Sequence, residues 1–278
     1  MSTRMSLPNA LLRLPDMPLA YLPDLRLNYR FDGPATGAVL VLTHALGINL
    51  TIWDPVIPML PPGLRILRYD HRGHGGSDVP HPPYSMGALI RDAEHLLDHL
   101  NIRDCVFLGL SMGGLVAQGL AIKRLDLVRG LVLSNTATKL GTEGLWQDRI
   151  AQVRAGGLAA INDTTMALIF SRAFRSTPDF ARWQTLMLTG NPDGFIGCAA
   201  AIAGTDFYTP TASLRLPTLA IAGSEDGVTP PDLVRETASL IPGSRFSLIR
   251  GAGHFPFAER PEAYADALTS FLKDIGHV

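Results

Sequence analysis

The stretch Val106-Phe107-Leu108-Gly109-Leu110-Ser111-Met112-Gly113-Gly114 constrains this chain more than any other. A short apolar run stops at a serine set between glycines, and Leu115, Val116, Ala117, Leu120 and Ala121 follow at helical spacing. That spacing predicts strand, sharp turn and helix, with Ser111 at the bend. Gly-x-Ser-x-Gly in such a setting is the pattern of a nucleophile elbow. The serine is expected in a strained backbone conformation that non-glycine residues rarely adopt. The small residues Gly109 and Gly113 let the strand end and the helix start nearly touch. The turn pushes the hydroxyl outward and leaves the Met112 amide at a helix N-terminus, aimed at any nearby anion. A phosphate-binding turn would want a further glycine spacing or Gly-Lys-Ser/Thr, and the stretch has neither.

The rest of the chain reads as alternating strands and helices. Short alternating segments, Leu19-Ala20-Tyr21 and Leu25 to Tyr29, predict an N-terminal hairpin. Ala38 to Thr43 is a continuous apolar run, as in a strand covered on both faces. It leads to His44-Ala45-Leu46-Gly47 and then, from Trp53 toward Leu60, to a predicted helix. A strand over Arg65–Tyr69 ends in the polar loop Asp70-His71-Arg72-Gly73-His74-Gly75-Gly76-Ser77-Asp78. Leu89, Ile90, Ala93, Leu96, Leu97 and Leu100 share one face of a helix over Met86–Leu100, with His95 and His99 on its solvated side. After the central strand and its helix comes a strand over Val128–Leu133. The rhythm breaks after Asn135. From Leu140 to Asp206 only helical patches appear, over Gly144–Ala155, Leu158–Ser171, Asp179–Leu188 and Phe195–Ala203. Alternation resumes with strand Thr218–Ala222, helix Pro231–Leu240, strand Arg245–Ile249 and helix Pro261–Lys273. Such a rhythm predicts an α/β fold, a mostly parallel central sheet flanked by helices, with a helical cap inserted. The core would comprise 1–139 and 207–278, the cap 140–206.

Composition narrows the partners. At 46% apolar residues the chain can build one large core, and a net charge of −1 with no basic stripe argues against nucleic acid. The N-terminus carries Arg4, but Pro8, Pro15 and Pro18 interrupt it, so it reads as neither signal peptide nor membrane span, and a cytoplasmic enzyme is expected. Cys105 and Cys198 read as buried free thiols. His71 and His74 have no cysteine or carboxylate cluster at metal-ligand spacing, so they read as loop structure, with no metal and no cofactor.

Ligands of open α/β sheets bind past the carboxyl ends of the strands. Ser111 follows the central strand; Gly223-Ser224-Glu225-Asp226-Gly227 and Gly251-Ala252-Gly253-His254-Phe255 follow the last two. A hydroxyl, a carboxylate and an imidazole thus emerge in the order Ser, Asp, His, which is the order of an α/β-hydrolase triad. His254 would take the proton from Ser111, and Asp226, with Glu225 as the substitute acid, would hold the imidazole tautomer. The backbone amides of Met112 and Leu46 are the expected oxyanion donors. Trp146, Phe170, Trp183 and Phe207, with His44, are the candidate pocket residues, though the four aromatics read more readily as cap core than as pocket wall.

With these residues in hand, the chain resembles the α/β-hydrolase superfamily over nearly its whole length. More narrowly it resembles the 3-oxoadipate enol-lactonases, through Leu67 to Gly75, Leu110 to Gly114, Leu131 to Lys139 and Cys198 to Phe207. One departure is His44-Ala45 where many members of the superfamily have His-Gly. The resemblance implies a small enol-lactone substrate carrying a carboxylate, from aromatic-compound degradation. Such a substrate calls for a cation near the pocket, and Arg149, Arg154, Arg172, Arg175 and Arg182 are the candidates from the cap. The competing readings are a sister carboxylesterase or lactonase, a cofactor-free perhydrolase of the haloperoxidase kind, and a small-molecule receptor with residual hydrolysis. A dehalogenase would need a carboxylate at the elbow, which carries Ser111. The expected partner is a small ester or lactone, with no nucleic acid and no membrane; the sequence leaves homo-oligomerisation open.

Overall fold

Two short strands open the described chain, which in this computed structural model comprises residues 18–278. The reading of Arg4, Pro8 and Pro15 therefore lies outside the described residues. Strand β1 (Leu19–Tyr21) pairs antiparallel with β2 (Arg26–Asp32), as the alternating pattern predicts. Then follow β3 (Val39–Thr43), β4 (Arg65–Tyr69), β5 (Cys105–Leu110), β6 (Val128–Ser134), β7 (Thr218–Gly223) and β8 (Arg245–Ile249). The sheet order is β1-β2-β4-β3-β5-β6-β7-β8, and every pairing from β4 onward is parallel. Strands β3, β5 and β7 are buried along their whole length, which is why they read as unbroken apolar runs rather than alternating ones.

Helices occupy the connections: α1 (Met86–His99) before β5, α2 (Met112–Lys123) after it, and α8 (Pro231–Ser239), α9 (Pro256–Glu259) and α10 (Pro261–Asp274) in the C-terminal part. Every residue of α2 from Met112 to Ala121 is buried, so it is apolar all round rather than amphipathic. Between β6 and β7 lie α3 (Glu143–Gly156), α4 (Ala159–Ile169), α5 (Phe180–Leu188), α6 (Pro192–Ala203) and α7 (Tyr208–Thr211), with no strand among them. Thr142 and Asn191 cap α3 and α6 through their side chains, so both helices start where the sequence offers an N-cap.

One expectation is corrected. The segment from Trp53 toward Leu60 is not a helix but two 3₁₀ turns, Leu50–Trp53 and Ile57–Met59. Pro55 and Pro58 each lack the N–H that an α-helical ladder needs there. Among the described residues no helix is long and apolar enough to cross a membrane.

The strand order reverses beside β3, which has β4 on one side and β5 on the other. The loops after β3 and β5 therefore open on a common crevice. These are the His44–Gly47 loop and the Ser111 turn.

Candidate active site

Ser111 sits at φ 55° and ψ −115°, a left-handed region that L-residues avoid, directly before the first turn of α2. The close approach inferred from the sequence is real. A Cβ on Gly109 would collide with the Gly113 backbone, and one on Gly113 would collide with Thr43. Backbone bonds fix the turn: Ser111 N–H donates to Ser134 O at 3.0 Å, and Gly114 N–H donates to Ser111 O at 2.8 Å. Ser111 is only 7% exposed.

Asp226 follows β7 and faces His254, which follows β8. His254 Nδ1 donates to Asp226 Oδ2 at 2.8 Å, leaving Nε2 as the acceptor nitrogen. Oδ2 also accepts from Asn135 Nδ2 at 2.8 Å and Thr229 Oγ1 at 2.7 Å, while Oδ1 accepts the Val228 and Thr229 amides at 2.7 and 2.9 Å. Burial alone would raise this carboxyl, but the imidazole and these donors outweigh it and hold Asp226 below the usual carboxylate range. Glu225, the substitute acid of the sequence reading, is exposed.

Ser111 and His254 share the wall of one cavity of about 50 Å³ with Ala45, Leu46, Thr165, Phe195 and Phe255. A second cavity of about 140 Å³ also touches Ser111 and opens outward between Leu140, Leu145, Leu168, Ile202 and Val228. Leu46, Trp146 and Arg149 belong to both. Among the described residues no hydrogen bond joins Ser111 Oγ to His254, a contact that commonly tightens only when substrate is bound. A larger depression of about 450 Å³, behind Gly47 and lined by His74, Asn49 and Asn191, contains none of the three.

The other site candidates separate. Met112 is the first residue of α2 and wholly buried, and Leu46 lies on the cavity wall beside Ser111. Trp146 faces both cavities, its indole N–H fixed on Leu140 O at 2.5 Å. Phe170 and Trp183 stand behind that wall, 5.4 and 5.8 Å from Phe255 in one aromatic cluster. Phe207 packs toward Gly119 of α2 instead. His44 is fully buried, with Nδ1 on Ala45 O at 2.7 Å and Nε2 accepting the His71 amide at 3.0 Å. It shapes the loop after β3 rather than lining the cavity. His74 also braces that loop, its Nε2 accepting the Gly47 amide at 2.9 Å.

Of the five arginines, Arg149 alone is on the cavity wall with Ser111. Burial lowers its pKa from the ordinary arginine value, and among the described residues no carboxylate pairs with it. Arg182 pairs with Asp54 at 3.6 Å, and Arg154, Arg172 and Arg175 are exposed. Sequence reasoning missed Asn135 and Thr229. Thr229 stands three residues after Asp226, the spacing of a side chain that closes its own turn, and Asn135 stands just past β6, where the strand-end rule also points.

Known proteins match this chain over most of its length. The family described as alpha/beta hydrolase fold matches residues 38–261. A 3-oxoadipate enol-lactonase of Acinetobacter baylyi is 33% identical over 252 residues, covering 90% of this chain and 94% of that protein. The crystal structure of the enol-lactonase from Burkholderia xenovorans superposes with a TM-score of 0.89 at 31% identity, covering 92% of this chain and all of that one. A hydrolase from Pseudomonas aeruginosa gives 0.88 at 36% identity, covering 92% of this chain and 98% of that one.

Proposed function

This chain belongs to the alpha/beta hydrolase fold family, and we propose that within it the protein is a serine hydrolase that opens a small, carboxylate-bearing enol-lactone of the 3-oxoadipate kind. The observation that carries the reading is Arg149. Among the described residues no carboxylate pairs with its guanidinium, which stands 6.0 Å from the Trp146 ring centroid on the cavity that holds Ser111 and His254, where the rest of the outer wall is apolar. A cation with no carboxylate partner among the described residues, in a largely apolar cavity, suits an anionic ligand. The relatives named as enol-lactonases support the same substrate class.

In this reading His254 Nε2 takes the proton of Ser111 Oγ as that oxygen attacks the lactone carbonyl carbon. Asp226 stabilises the imidazolium that forms. The amides of Met112 and Leu46 receive the developing oxyanion, each worth a few kcal/mol, order ~3. Collapse of the tetrahedral intermediate breaks the ring C–O bond and expels an enolate, which takes the proton from His254 and tautomerises to a ketone. Water, deprotonated by His254, then cleaves the acyl-enzyme and releases a keto dicarboxylate. No cofactor is called for. The division into core 1–139 and 207–278 and cap 140–206, cytoplasmic residence and a place in aromatic-compound degradation belong to the same proposal.

The test compares an anionic lactone with a neutral ester. Arg149→Leu lowers kcat/KM on 3-oxoadipate enol-lactone about a hundredfold, chiefly through KM, since a charged hydrogen bond is worth ~1.5–3 kcal/mol. Its rate on p-nitrophenyl acetate stays within about threefold of wild type. Equal losses on both substrates contradict the anchor. The apolar rim of Leu140, Leu145, Leu168, Ile202 and Val228 favours a second reading, an esterase of bulkier substrates. A slow enol-lactone rate beside fast hydrolysis of longer-chain aryl esters selects that reading.

A further inference from the structure

Taking Ser111, Asp226 and His254 as the reacting groups, as proposed above, we propose that Asn135 is a positioning residue that ties the acid and the imidazole loop to the turn carrying the nucleophile. The segment Ser134–Thr136 leaves the carboxyl end of β6, and β6 lies between β5 and β7. From there it reaches all three loops. Ser134 O accepts the Ser111 amide at 3.0 Å, and Thr136 Oγ1 donates to Ser111 O at 2.7 Å. Asn135 N–H donates to Ile221 O of β7 at 2.8 Å. Its side-chain Nδ2 donates to Asp226 Oδ2 at 2.8 Å and, at 3.4 Å, to Gly253 O, the carbonyl immediately before His254.

The orientation of that amide is determined. A carboxylate and a carbonyl only accept, so the NH₂ faces them, and Oδ1 in turn accepts Ser134 Oγ at 3.2 Å. Asn135, Ser134 and the Asp226 side chain are wholly buried and Gly253 is buried, so water does not compete for these bonds. The backbone adds a second argument. Asn135 has φ 45°, where glycine would be free of strain and asparagine is among the few side chains tolerated. A position whose backbone favours glycine nevertheless buries a polar side chain, and what that side chain adds is the pair of bonds to Asp226 and Gly253. Oδ2 is also the atom that accepts His254 Nδ1, so the amide, together with Thr229 and the Val228 and Thr229 amides, fixes the carboxylate rotamer that aims the imidazole.

Asn135→Gly deletes the amide and relieves the backbone, so it is suited to separate positioning from folding. With p-nitrophenyl acetate, kcat falls about tenfold while KM stays within about twofold, the signature of an interaction that matters only in the chemical steps. The thermal midpoint changes little, and the downfield proton resonance of the His254–Asp226 hydrogen bond shifts. Asn135→Ala removes the donor as well but keeps a Cβ at the positive φ, so its kcat falls as far as in Asn135→Gly while any additional fall in its thermal midpoint reports backbone strain alone. A kcat within about twofold of wild type in either variant, or a loss lying wholly in KM, overturns the assignment. Ser111→Ala measured alongside keeps the two readings apart. Full activity without the hydroxyl removes the nucleophile on which the proposal rests, whereas hydrolysis that needs Ser111 but ignores Asn135 overturns the positioning role alone.

Discussion

Ser111→Ala lowers kcat/KM by at least about a thousandfold, on the enol-lactone and on aryl esters alike, while the protein keeps its fold. The rate loss follows from losing the attacking atom: the oxyanion amides and the cavity persist, but no acyl-enzyme can form. What remains is the smaller acceleration that such amides and binding supply alone. The retained fold follows from the backbone. Alanine has the same Cβ as serine, so the φ of 55° costs the variant no more than wild type. The bonds that hold the turn run through main-chain atoms, Ser111 N–H to Ser134 O and Ser111 O from Gly114 N–H and Thr136 Oγ1. Steady-state kinetics with circular dichroism and a melting curve check both halves. A variant with less than about tenfold loss removes Ser111 from the chemistry.

The fold weakens steeply in mild acid, between about pH 6.5 and 4, because of imidazoles that never meet solvent. Burial drives the pKa of His44 down to about 4 and that of His74 down to about 3, and His71 falls well below the histidine range. In the unfolded chain each imidazole titrates near 6.5, so below that pH the unfolded state binds protons that the folded state refuses. Stability contributed by the neutral form is complete above about pH 6.5 and is lost as the pH falls toward the folded pKa values. By pH 5 the loss is about 2 kcal/mol per imidazole. Two or three of them consume a large part of the ~5–15 kcal/mol that holds a domain of this kind. The carboxyls of Asp70, Asp92 and Glu259 are pushed up by burial and work the other way, while His277 and Asp226, both pushed down, add to the loss. Urea midpoints measured from pH 7 to pH 5 fall monotonically in this account; a flat or rising midpoint contradicts it. The same protonation would take the acceptor at His74 Nε2 from the Gly47 amide and loosen the loop that carries Leu46.

Legibility in the sequence tracked how local the physics was. The elbow was readable because its constraint spans five residues: two glycines that nothing larger can replace and a serine held in strain between strand and helix. The strands of the sheet were readable because burial on both faces leaves uninterrupted apolar runs such as Val39–Thr43 and Cys105–Leu110. The failed helix after Trp53 shows apolar spacing overridden by proline, a signal that was present and underweighted. The cavity wall was harder to read. Trp146, Phe170 and Trp183 are all aromatic residues on helical segments, and only packing decides that the first faces Ser111 while the others stand behind Phe255. Arg149 could not be told from Arg154 or Arg182, because what distinguishes it is its place on the wall of the cavity that holds Ser111, a property of the folded molecule. Asn135 escaped because its partners, Asp226 and Gly253, lie 91 and 118 residues away.

The account turns on a covalent bond to one oxygen, and an organophosphate that mimics the tetrahedral intermediate tests that bond directly. Incubation with diethyl p-nitrophenyl phosphate, followed by intact-mass and peptide mass spectrometry, should give one diethylphosphoryl group per chain, on Ser111. Inactivation should proceed in step with its incorporation and slow markedly in His254→Ala. An active protein that stays unlabelled, or a label that lies elsewhere while Ser111 stays free, contradicts the nucleophile and with it the proposed hydrolysis.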